Sequence, residues 1–69
     1  MKYQKHQQVK ILTPQGREVM GKVAMVKTDL EENHPFHRLE KDYLVKYIDL
    51  EGSIIEILLD EAELDAYQN

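Results

Sequence analysis

The feature that most constrains this chain is the lack of any cysteine among its 69 residues. A domain of this size buries only about 60% of the surface its unfolded chain exposes, so it sits close to the limit of stability. Chains this small commonly add disulfides, a structural metal or a second subunit. Here disulfides are excluded, and so is any zinc site built on thiolates. What remains is packing in one core, self-association, or both. The length has room for a single domain, 1–69, and for no second core.

The apolar pattern says how that core is built. Val9-Lys10-Ile11 alternates apolar and polar side chains, a strand period and not a helix period. Thr13-Pro14-Gln15-Gly16 then reads as a turn, because Pro presets φ and Gly accepts a positive one. A second run from Glu18 to Thr28 pairs back, with Lys22, Ala24 and Val26 expected on one face and Val23 and Met25 on the other. Gly21 in its middle predicts a bulge or bend. Alternation resumes over Asp42-Tyr43-Leu44-Val45-Lys46-Tyr47-Ile48. A turn at Asp49-Leu50-Glu51-Gly52-Ser53 leads into the β-branched run Ile54-Ile55-Glu56-Ile57-Leu58-Leu59. Between the second and third runs, 29–41 has no period and contains Pro35, so it is expected to be a long loop. At the end, Asp60 with Glu63 three residues on makes a capping-box signal, and 60–67 is expected to form a short helical turn. Leu64 and Tyr67 would share one side of it and plug the open end of the sheet.

The charged residues mark the faces. With Lys10, Lys22, Lys46 and Glu56 outward, the core becomes Val9, Ile11, Val19, Val23, Met25, Tyr43, Val45, Tyr47, Ile55, Ile57 and Leu59. The outward face then carries Leu12, Ala24, Val26, Leu44, Ile48, Ile54 and Leu58, more apolar side chains than a half-solvated sheet should show. Two explanations stand side by side. The sheet closes into a tight barrel with two packing layers, or part of this face is an interface with a partner or a second copy.

The opening Val9-Lys10-Ile11-Leu12, the Pro/Gly turn and Gly21-Lys22-Val23 resemble the start of SH3-like small barrels. Tyr43-Leu44-Val45-Lys46-Tyr47 and Leu59-Asp60-Glu61-Ala62-Glu63-Leu64 are similar to their closing segment, so the likeness spans about residues 8–65. Tudor-type modules and the small electron-transport accessory proteins of photosynthetic complexes share that layout. The resemblance implies a mostly β fold: a small barrel of about five short strands with a C-terminal helical turn. A methyl-reading Tudor cage needs several aromatics, and here only Tyr43 and Tyr47 lie at strand spacing, both assigned to the core.

Glu31-Glu32-Asn33-His34-Pro35-Phe36-His37 is the one segment with metal-ligand chemistry, through imidazole nitrogens and carboxylates. Pro35 spoils a regular arrangement of His34 and His37, so no metal or other cofactor is expected; Phe36 is expected either to anchor the loop or to meet a partner. The single serine, Ser53, lies in a turn with no histidine near it in sequence. The paired carboxylates read as solvated charge, not as an acid/base pair in contrasting environments. No enzyme is expected.

Charge is uneven along the chain. Residues 1–27 hold six basic side chains against Glu18, a balance of +5, while residues 28–69 hold three against twelve acids, a balance of −9. The expected function is a non-catalytic protein-binding adaptor or accessory subunit, with Phe36, His34, His37, Leu44, Ile48, Ile54 and Leu58 as its contact residues. Homo-oligomerisation is compatible with it. The alternative is a nucleic-acid-binding regulator using Lys2, Tyr3, Lys5, Lys10, Arg17, Lys22 and Lys27, with Tyr3 stacking on a base. A sequence pI near 5.2 opposes that alternative. No apolar run reaches the length of a membrane span and no signal peptide is evident, so a cytoplasmic protein is the expectation.

Overall fold

The computed structural model describes residues 2–69. Four strands follow one another as an antiparallel meander: β1 (Gln8–Leu12), β2 (Glu18–Val26), β3 (Tyr43–Ile48) and β4 (Ile54–Leu59), in the order β1-β2-β3-β4. One helix, α1 (Glu61–Gln68), closes the chain and packs against β1. Short 3-10 turns at Lys27–Asp29 and Pro35–Arg38 punctuate the connection between β2 and β3.

The two tight turns share one construction. Gly16 donates its N–H to Thr13 O at 2.8 Å, and Gly52 donates to Asp49 O at 3.0 Å. Each glycine then adopts a positive φ, 84° and 87°, which a side chain would resist. Thr13 Oγ1 accepts from Arg17 N–H at 3.1 Å, and Asp49 Oδ1 accepts from both Glu51 and Ser53 N–H at 2.9 Å. These side-chain bonds fix loop length and therefore strand register.

Register fills the core. Val9, Ile11, Val23, Val26, Tyr43, Val45, Tyr47 and Leu59 are buried with Tyr3 and Leu64, and Val19, Ile55, Ile57 and Tyr67 pack partly buried around them. Strand β2 departs from the simple periodic pattern in three ways. The irregularity in β2 lies between Val23 and Met25, leaving Ala24 as the extra residue, and not at Gly21. Beyond that bulge the parity of the strand inverts, so Val26 is buried and faces Tyr43, while Met25 leaves the core to sit opposite Leu44. Gly21 instead stays in register with Val9, and a Cβ there would lie 2.8 Å from Val45 Cγ1 and 3.0 Å from Lys46 O. Its role is close approach.

The sheet has four strands and remains open, where a closed barrel of about five was expected. The physical reason follows β4. Asp60 accepts from Glu63 N–H at 2.8 Å while Glu63 Oε1 accepts from Asp60 N–H at 3.2 Å, a capping box that commits the chain to helix. The helix crosses to β1 in place of a closing strand. Leu64, fully buried, seals that end of the core.

The segment ahead of β1 is the largest surprise. Tyr3 is buried and stacks edge-on against Tyr43, with centroids 5.6 Å apart.

Candidate partner-binding surface

Three rows of side chains cross the outer face of the sheet. The first is apolar and open to solvent: Met20, Ile48 and Ile54 are 57%, 66% and 67% exposed. Ile48 and Ile54 are register partners, and with Met20 they line a shallow depression of about 340 Å³ whose rim includes Gln8, Lys22 and Lys46. The second row is charged. Lys22 sits opposite Lys46, and Lys46 opposite Glu56, with Lys46 Nζ 3.9 Å from Glu56 Oε2. Two like charges face to face on neighbouring strands are unfavourable, so this rim favours a negative group on whatever lies against it. The third row, Met25-Leu44-Leu58, is again apolar but half-buried.

The residues expected to meet a partner therefore separate. Ile48 and Ile54 are fully presented, and Leu44 and Leu58 only in part. Phe36 is buried at 5% exposure and anchors the 29–41 segment. His34 Nδ1 accepts from Phe36 N–H at 3.1 Å, and His37 Nε2 lies 3.2 Å from Leu30 O, so both imidazoles are occupied in shaping that turn. No group of three or more His, Asp or Glu side chains is placed to hold a metal ion among the described residues. Met20 was missed by sequence reasoning. Its signal was parity with Lys22 on the same strand.

The basic strip expected for nucleic acid is broken up. Lys2 donates its backbone N–H to Glu61 Oε1 at 2.8 Å, and its Nζ lies 3.0 Å from Asp65. The Tyr3 ring is packed in the core, so it is not available for base stacking. Lys10 Nζ lies 3.6 Å from Glu18, and Lys27 Nζ donates to Leu39 O at 2.7 Å. Lys5, Arg17 and Lys22 remain exposed. Lys5 and Lys22 share a second depression, of about 390 Å³, with His6 and Lys46.

The carboxylates of α1 are structural. Glu61 accepts from Tyr43 OH at 2.7 Å, Asp65 accepts from Tyr3 OH, and Glu63 pairs with Lys41 Nζ at 2.6 Å. Tyr43 OH also accepts from Tyr3 N–H at 3.2 Å. Burial, followed by the bond to its carboxylate, pushes each tyrosine hydroxyl up to about 12. The same bonds hold the carboxyls below their ordinary range: Glu61 chiefly through Lys2 N–H and then Tyr43, Asp65 through Tyr3 and then Lys2, Glu63 through Lys41. This cluster clasps the N-terminal segment to α1. No helix among the described residues is long and apolar enough to cross a membrane.

The fold and surface together define a small open antiparallel sheet sealed by one terminal helix. No protein-family model, curated protein or solved structure matches the chain.

Proposed function

We propose that this chain is a small protein-binding module, an adaptor or accessory subunit that works through the outer face of its sheet and carries no chemistry of its own. The observation that carries this reading is the exposure of Met20, Ile48 and Ile54 side by side on a strand surface where polar residues would otherwise stand. Contiguous exposed apolar patches on small domains mark contact sites, because leaving them in water costs solubility and gains nothing for the fold. The lysine rim adds a preference for a partner that is acidic at its edge. The meander, the bulged β2 and the helix returning to β1 support reading the domain as SH3-like, with α1 standing where a fifth strand would close a barrel. That likeness concerns architecture and leaves function to the surface.

The test is a matched capture experiment. Wild-type protein and a Met20→Ser/Ile48→Ser variant, shown by circular dichroism to be equally folded, are immobilised and exposed to native extract. Retention of partners by the wild type and their loss from the variant is the expected outcome. Equal capture by both removes the outer face as the contact surface.

A further inference from the structure

Strand β4 offers a second kind of contact, through its backbone. Asp49 donates its N–H to Ser53 O at 2.9 Å, and the register continues through Tyr47–Ile55, Val45–Ile57 and Tyr43–Leu59. In an antiparallel ladder the bonded residues alternate with residues whose backbone groups point the other way. Ile54, Glu56 and Leu58 therefore direct their N–H and C=O groups away from β3. None of these groups has a bonded partner among the described residues.

The two edges of the sheet are treated differently. At β1, the Gln68 side chain bonds both backbone groups of Lys10. At β4 nothing comparable is present: the strand has no proline, no bulge, no lysine and one charge, Glu56. Edge strands of soluble domains normally carry such protective devices. The apolar surface at this edge also lies on both sides. Ile54 and Leu58 flank Glu56 on the outer face, and Ile55 and Ile57 remain only partly buried on the core face, where no fifth strand among the described residues covers them.

We propose that β4 accepts an extended segment of a partner protein as a fifth antiparallel strand, one with apolar side chains alternating around a basic residue that faces Glu56. This rests on the protein-binding reading and adds the mode of recognition to it. Backbone pairing supplies the affinity and alternate side chains the selectivity. Glu56 decides between occupants. A second copy pairing symmetrically through all three outward residues, with Ile54 opposite Leu58, sets Glu56 directly against its own counterpart, which is destabilising. The shifted registers that avoid this shorten the overlap. A lysine or arginine opposite Glu56 turns the same position into a favourable cross-strand pair.

The experiment is amide hydrogen exchange by NMR on the full chain. The probes are synthetic extended peptides in which Val and Thr alternate about a central Lys, with matched peptides carrying Glu there. The expected result is exchange slowed at least about tenfold at Ile54, Glu56 and Leu58, as for newly paired backbone. The effect should be strong with the Lys peptide and weak with the Glu peptide. Ile54→Pro removes an outward N–H at the first strand position, where proline is tolerated, and should abolish the protection while the free protein keeps its spectrum. Unchanged exchange with every peptide overturns the proposal, as does protection that survives Ile54→Pro. Protection of the same amides in the free protein together with a dimer in sedimentation overturns it in favour of a second copy. Binding that shifts Met20 and Ile48 but leaves the Glu56 and Leu58 amides exchanging freely sinks strand addition and leaves the module reading intact.

Discussion

Gln68, at the end of α1, caps the backbone of Lys10 in the middle of β1. Its Oε1 accepts from Lys10 N–H at 3.0 Å and its Nε2 donates to Lys10 O at 2.7 Å. A side-chain amide thus imitates one rung of a neighbouring strand, and a third bond from Nε2 to Leu64 O at 2.9 Å holds it in place. The helix both plugs the core and blunts an edge.

Substituting Gln68→Ala should lower stability by about 1–2 kcal/mol, the range for leaving partly buried backbone groups unpaired. Urea unfolding measures the loss. Amide exchange at Lys10 should accelerate in the same variant, and an unchanged Lys10 rate would show that the rung carries no weight.

Gly21→Ala places a methyl group 2.8 Å from Val45 Cγ1 and 3.0 Å from Lys46 O. A side chain can yield but the Lys46 carbonyl belongs to the β2–β3 ladder. Overpacking of this kind costs about 1–3 kcal/mol, read as a shifted denaturation midpoint. A neutral result would mean that β3 moves away freely.

Tyr43→Phe keeps the ring and removes an oxygen that accepts from Tyr3 N–H and donates to Glu61. The buried Tyr3 N–H then has no partner, for a loss of about 1–3 kcal/mol. Heteronuclear NMR should show residues 2–5 loosening while the β3–β4 pairing persists.

Stability should fall at both ends of the pH scale. The Tyr3 and Tyr43 hydroxyls stand at about 12 in the fold against an ordinary 10.0, so between those values the unfolded chain holds fewer protons than the folded one. Their contribution is complete below pH 10.0 and is lost as pH rises towards about 12. Glu61 and Glu63 lie below their ordinary 4.5 and Asp65 below 3.8. Their contribution is present above those values and lost as pH drops through the lowered ones. Urea midpoints measured across pH should trace both limbs, and Tyr43→Phe should weaken the alkaline one. A midpoint flat through the alkaline range would contradict the clasp.

Much of this fold was legible from period-two runs and turn chemistry. Gly16 and Gly52 marked turns, Ile54–Leu59 read as a strand, and the Asp60–Glu63 pair announced the helix. The Ala24 bulge was not legible, because one inserted residue inverts parity without any unusual residue type, and Met25 and Val26 are both apolar. Tyr3 was hidden for a different reason. It lies outside any periodic segment, and its place in the core depends on Tyr43 and Asp65, which are distant in sequence. At the surface, Ile48 and Ile54 followed from alternation, whereas the burial of Phe36 and the open edge of β4 depend on tertiary arrangement.

The Tyr3–Asp65 contact joins positions 62 residues apart, and Lys2 reaches the same carboxylate. Hairpins such as β3–β4 can zip from local contacts as they leave the ribosome, but this fastening must wait until α1 has been synthesised. Until then the Tyr43 hydroxyl lacks its acceptor Glu61 and the Tyr3 hydroxyl lacks Asp65, so the aromatic pair of the emerging chain is held by ring packing without its polar fastening.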